Sequence, residues 1–266
     1  MSENLQMRPA RIEALTGLRF LAAMMVFCFH FDSSLKTKFF FGPLGGIAVS
    51  FFFVLSGFIL TYVYRDRLKW GGVKRFYFTR WARIWPLHAV CLAAAIWLFP
   101  YQKVVDYPGI RLACNWLLLQ SWIPDIDYVL SYNGVAWSIS TEAFFYLMFP
   151  LFLLGGLRHF WWKYLLTIAL TAVALVGLTN IAATPELAAT FNPHHISHFN
   201  PFMRLFEFVS GMAVAYLFMS TRVGSIRFLQ VARWPVFLQT VLEIVVFLLA
   251  AFSFYLLQWL GYYSWV

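Results

Sequence analysis

Apolar residues fall into long blocks spread from one end of the chain to the other, separated by shorter polar segments. Blocks of roughly 17 to 25 residues are long enough to cross a bilayer as α-helices. They fall at about 15–31, 45–64, 84–100, 140–157, 161–179, 202–219 and 235–260. A further apolar stretch at 114–123 is too short to cross and reads as a re-entrant or interfacial piece. The pattern therefore predicts an all-α, polytopic transmembrane helix bundle of about seven or eight spans. The blocks leave no room for a soluble domain, so 1–266 reads as one integral-membrane domain. No repeat with a period of roughly 20 to 50 residues interrupts it.

Polar segments orient the bundle. Between the second and third spans lie Arg65, Arg67, Lys69, Lys74, Arg75, Arg80 and Arg83, the densest basic cluster in the chain. The positive-inside rule puts this segment in the cytoplasm. Counting crossings outward from it places the N-terminus, 158–163 and 222–233 inside as well, whereas 32–44, 101–139 and 180–201 fall outside and are poorer in Lys and Arg. The reading is a multi-pass protein of the inner, cytoplasmic membrane with its N-terminus in the cytoplasm. Arg8, Arg11 and Glu13 precede the first span, and no Ala-x-Ala site follows it, so that span reads as uncleaved.

Composition agrees, with 62% hydrophobic and only 12% charged residues, against about 25% charged in soluble domains. The net charge of +9 resides in residues flanking the spans, so no nucleic-acid partner is needed to explain it. The lipid bilayer is the first partner. Cys28, Cys91 and Cys114 lack metal-ligand spacing. His194, His195 and His198 have no Cys or acidic ligand beside them, so 180–201 reads as a solvated loop and no metal is expected.

Against this apolar background a few ionisable residues are conspicuous. His30 closes the first block, and Arg19 lies eleven residues earlier, roughly 16 Å along a helix and about 20° away in rotation. Both share a face, with an imidazole able to take a proton or attack an acyl group. A surface histidine satisfied by a neighbouring polar group is the plainer alternative. His88, beside Pro86, reads as an interfacial residue.

Arg80 and Arg83 stand at i and i+3, and guanidinium forks match phosphates. They read equally as phosphate ligands or as positive-inside anchors. Glu142 follows Ser138 and Ser140 at the start of an apolar run, which reads as a capped helix N-terminus with a carboxylate in its first turn, at a level where Glu142 could pair with His30. Arg204 and Glu207 read as an internal salt bridge. The small residues Ser50, Ser56 and Gly57 suit close helix packing, Gly57 first among them.

Taken together, these elements resemble the membrane-bound acyltransferase 3 family: Leu15-Thr16-Gly17-Leu18-Arg19 with His30, Phe52 to Phe58, Arg80-x-x-Arg83-Ile84-x-Pro86, Trp137-Ser138-x-Ser140-x-Glu142-x-Phe144-x-Tyr146, and Arg204-x-x-Glu207-Phe208-x-x-Gly211, in family order. The resemblance implies transfer of an acyl group, usually acetyl from acetyl-CoA, to a hydroxyl of a carbohydrate or other membrane-presented acceptor. It further implies that His30 is the catalytic base or an acyl carrier, that Arg19 and Glu142 belong to the catalytic set, and that Arg80 and Arg83 engage the acyl-CoA. Members of the family typically carry more spans, which makes truncation at the C-terminus an expectation. Two rivals remain from other classes: a proton-coupled transporter or flippase using Arg19, His30 and Glu142, and, more remotely, a haem bundle using His30 and His88.

Overall fold

The computed structural model describes residues 14–35, 44–98, 108–184, 186–187 and 191–222. Among these the regular structure is entirely helical. The elements are α1 (Ala14–Leu35), α2 (Leu44–Tyr64), α3 (Val73–Leu98), α4 (Pro108–Trp116), α5 (Ile126–Val129), α6 (Trp137–Leu153), α7 (Gly156–Ala182), α8 (Pro193–Phe199) and α9 (Pro201–Arg222), with short 3₁₀ turns at Trp70–Gly72, Gln120–Trp122 and Gly134–Ala136.

Among the described residues, five segments are long and apolar enough to cross a membrane: Gly45–Tyr64, Trp70–Leu98, Gly134–Leu153, Gly156–Ala182 and Pro193–Ser220. The apolar part of α1, Leu15–Phe31, is shorter. Six of the expected spans thus lie on described helices, and 235–260 lies outside the described residues. The largest boundary difference is in the third span, expected from 84, whereas α3 begins at Val73. Arg80 and Arg83 are therefore part of the helix and not of the loop before it. The chain divides into two compact units, residues 1–63 with 214–266, and residues 64–213.

In the first unit α1 and α2 meet at Gly45. A Cβ there would lie 2.5 Å from Phe29 Cγ, so only glycine leaves room for the ring. The close approach was expected first at Gly57, which is also buried. Farther along α2, Phe58 and Tyr62 stack on each other at 6.1 Å, and each meets Phe218 of α9 edge-on, at 5.6 and 6.2 Å.

The second unit is built on α3 and α6, which run antiparallel. Phe76 stacks on Phe149 at 5.2 Å, Tyr77 Oη donates to the Leu147 carbonyl, and the Arg80 guanidinium lies 5.9 Å from the Tyr146 ring, so rising numbers on one helix meet falling numbers on the other. The aromatic seam continues to α9 through Phe145 and Phe208, stacked at 4.9 Å and fully buried. Offset ring stacking adds to the gain from burial.

Gly155, at φ +102°, supplies the left-handed residue that turns the chain from α6 into α7. Lys163 of α7 then donates to the Leu151 and Leu154 carbonyls, capping the end of α6. Between α3 and α6 the short 114–123 stretch packs into the protein. Asn115, Gln120 and Ser121 are buried there. Gln120 Nε2 donates to Ala136 O, Ser121 Oγ to Trp137 O, and Ser140 Oγ to Leu118 O. Irregular backbone survives at membrane depth only when protein satisfies it.

Candidate active site

The α3–α6 pairing gathers a charged cluster at an otherwise apolar seam. Arg80, half-buried, donates from Nη2 to Tyr64 Oη at 3.0 Å, and its guanidinium carbon stands 5.4 Å from the Tyr64 ring and 5.9 Å from both Phe76 and Tyr146. Rings around a guanidinium replace part of its lost hydration. They do not complete it, because Arg80 Nε is buried with no hydrogen-bond partner. Arg83, one turn on, is exposed.

Tyr146 Oη donates to Glu142 Oε1 at 2.5 Å. Glu142 is thus brought together with Arg80 through Tyr146. The capping reading of Glu142 is corrected: α6 starts at Trp137 on an Ala136 cap with no side-chain bond, and its first turn holds no acidic residue. The helix begins earlier because a 3₁₀ turn leads straight into it, which moves Glu142 into the second turn. Tyr146 itself was quoted within the sequence motif without a role. Its position four residues from Glu142 on one helix face was the available signal.

Beside this cluster opens a cavity of about 620 Å³. Tyr77, Arg80, Ile84, Leu118, Ser140 and Tyr146 are among the residues that line it. Leu118 holds a left-handed backbone, φ 57°, an unusual state for leucine. The Ser140 bond to its carbonyl, and its own amide bonded to Asn115 O, keep it there.

Asn115 O also accepts a 2.8 Å bond from His88 Nε2, and His88 is only 1% exposed. His88 is therefore a buried anchor of this wall, satisfied by a backbone carbonyl as the plainer reading of such a histidine has it.

Arg19 and His30 both lie on the unbroken α1 of the first unit, Arg19 half-buried and His30 more exposed, with its ring edge-on to Phe29 at 5.0 Å. Arg204 and Glu207 form the buried i, i+3 salt bridge expected, at 3.2 Å. His194, His195 and His198 are not in a solvated loop. They sit half-buried on α8, whose N-cap is Asn192, and His198 and Phe199 pack on Trp137 at 5.2 and 5.0 Å. Among the described residues no group of three or more His, Cys, Asp or Glu is placed to hold a metal ion.

A multi-pass helical membrane protein with a cation, a phenol–carboxylate pair and an apolar cavity at a helix seam has the form of an enzyme or carrier acting on an amphipathic substrate. The chain belongs to the acyltransferase 3 family, whose acyltransferase domain matches residues 12–266. It is 34% identical over 230 residues to the acyltransferase MdmB of Streptomyces mycarofaciens, covering 79% of this chain and 58% of that protein. It is 24% identical over 228 residues to the peptidoglycan O-acetyltransferase OatA of Listeria monocytogenes, covering 81% of this chain and 35% of that one. The chain thus spans about half the length, or less, of these relatives. No solved structure matches it.

Proposed function

We propose that the protein is a membrane O-acyltransferase that takes an acyl group from a CoA thioester on the cytoplasmic side of the inner membrane and passes it to an acceptor hydroxyl. The family resemblance makes acetyl-CoA the expected donor, and a carbohydrate or other membrane-presented molecule the acceptor. The observation that carries this reading is Arg80: a guanidinium on the wall of an apolar cavity, its Nε buried and unpartnered. Such a donor is matched by a phosphate or thioester oxygen whose remainder is apolar. Arg83 adds a second positive charge on the open side.

In this reading His30 takes the proton of the acceptor hydroxyl, and the freed oxygen attacks the thioester carbonyl. The carbon–sulfur bond breaks, and the CoA thiolate leaves, recovering the proton from the imidazolium. Attack by His30 itself, giving an acyl-histidine that the hydroxyl then resolves, balances equally. Arg19, on the same helix, places a cation toward the inner end of α1.

The test is release of CoA thiol by purified protein in detergent. Release should require acyl-CoA and acceptor together, persist in EDTA, and vanish in His30→Ala at equal protein level. A transporter needs two sealed compartments, so solute movement in vesicles without thiol release would defeat the enzyme reading.

A further inference from the structure

A buried cation lies apart from the Arg80 cluster and has no counter-charge. Arg111, in the first turn of α4, is 7% exposed. Among the described residues no carboxylate stands within ion-pair distance of it. Asp125 and Asp127, on the neighbouring turn, are both exposed, and an Asp125 oxygen is taken up in capping the Asp127 amide. The first turn of α4 holds no acidic residue, and the dipole of the helix adds positive potential at that end. A guanidinium removed from water in this way is costly unless partners replace its hydration.

The partners it has cover part of the group. Nη1 donates to the Asp127 carbonyl at 3.3 Å, longer than the usual range, and the Tyr128 ring faces the guanidinium carbon at 4.8 Å. That is the one hydrogen bond the guanidinium makes among the described residues, and Nε is buried without any. The carbonyl therefore takes one corner and the ring one face, which leaves the edge where Nε and Nη2 project side by side. Such an edge matches two oxygens of an oxyanion. Its walls are tied together: Asn115 Nδ2 donates to Arg111 O and to Ser131 Oγ, which donates in turn to Tyr128 O.

We propose that Arg111 is the base of an oxyanion site between α4 and α5, which takes a phosphate on the Nε–Nη2 edge. The bound charge offsets the buried cation and joins the start of α4 to the Tyr128 turn. The inference goes beyond the acyltransferase reading and does not depend on it. Free phosphate and the headgroup of an anionic lipid share this chemistry, and the exposed apolar side chains of Ile110, Trp116 and Leu117 give α4 a surface for lipid.

The test uses the full chain in phosphatidylcholine nanodiscs, with radiolabelled inorganic phosphate in chloride buffer of constant ionic strength. Binding should be saturable, and Arg111→Met should weaken it by about tenfold or more. Arg111→Lys keeps the charge without the fork, so it should weaken binding too, and it serves where methionine impairs folding. Phosphate should also raise the unfolding temperature of the wild type by on the order of 4 °C over chloride, with no such rise in the variants. The variants supply the baseline for general salt effects on stability. Nanodiscs containing phosphatidylglycerol separate the two sources. Loss of phosphate binding there assigns the site to a lipid headgroup, undiminished binding assigns it to the free ion, and both agree with the proposal. A wild type that binds no phosphate in phosphatidylcholine overturns it, as does binding that both Arg111 variants retain in full.

Discussion

Arg80 and Arg83 are separated by a single helical turn yet meet different surroundings. The first is enclosed by three aromatic rings and a phenol oxygen, whereas the second is exposed. Lysine keeps the charge but loses the planar fork and its stacking. Arg80→Lys should therefore lower kcat/KM for acyl-CoA by tenfold or more, and Arg83→Lys by no more than a few-fold, read from initial rates across donor concentration. Equal effects would return both residues to the role of membrane anchors. The motif showed the two arginines. It could not show their inequality, because i, i+3 spacing fixes a shared face but not which rings come from α2 and α6 to cover it. Tyr146 was legible only as a motif letter for the same reason. A thiol gives a further check at this scale. Burial pushes the Cys114 thiol up, so less thiolate is present at neutral pH than in a free cysteine. Its alkylation should lag behind that of a free thiol at pH 7 and accelerate as pH rises toward 9, followed by mass spectrometry.

At the scale of elements, two contacts fix how helices meet. Gly45 admits the Phe29 ring against α2, and a methyl group there would force the ring to move. Gly45→Ala should cost about 1–3 kcal/mol, visible as a lower unfolding temperature in detergent, while Gly71→Ala, with open space around its would-be Cβ, should cost less than 1 kcal/mol. Because Phe29 neighbours His30, the first variant should also reduce transfer. Lys163→Met removes the ammonium that caps two carbonyls at the end of α6, a loss of about 1–3 kcal/mol for a charged hydrogen bond. Hydropathy revealed where most spans lie, since long apolar blocks admit only one secondary structure in lipid. It misplaced the start of α3 because arginines lower local hydropathy whether they end a helix or, as here, nest among rings within it.

For the whole molecule, the antiparallel course of α3 and α6 agrees with the crossing count that puts 65–83 on one side of the membrane and the chain before α6 on the other. The orientation itself rests on the basic cluster. Single cysteines introduced at Lys69 and at Glu186 in a cysteine-free background should label from opposite sides in sealed spheroplasts, Glu186 from outside. Labelling of both from one side would break the topology and, with it, the transfer of an acyl group from an inner donor to an outer acceptor.

The 114–123 stretch between α3 and α6 carries a consequence for biogenesis. Too short to cross on its own, it bonds to neighbours on both sides, among them His88 on α3, and Ala136, Trp137 and Ser140 at the threshold of α6. Those neighbours flank it in sequence, so it can settle only after the second of the two helices has entered the bilayer and met the first. Assembly thus has an order, with the aromatic seam closing before the site wall forms. Phe149→Ala, placed in that seam and remote from Cys114 in sequence, should leave the nascent segment waiting. Newly made protein would then show Cys114 open to maleimide and marked for degradation, although no residue of the segment had been altered.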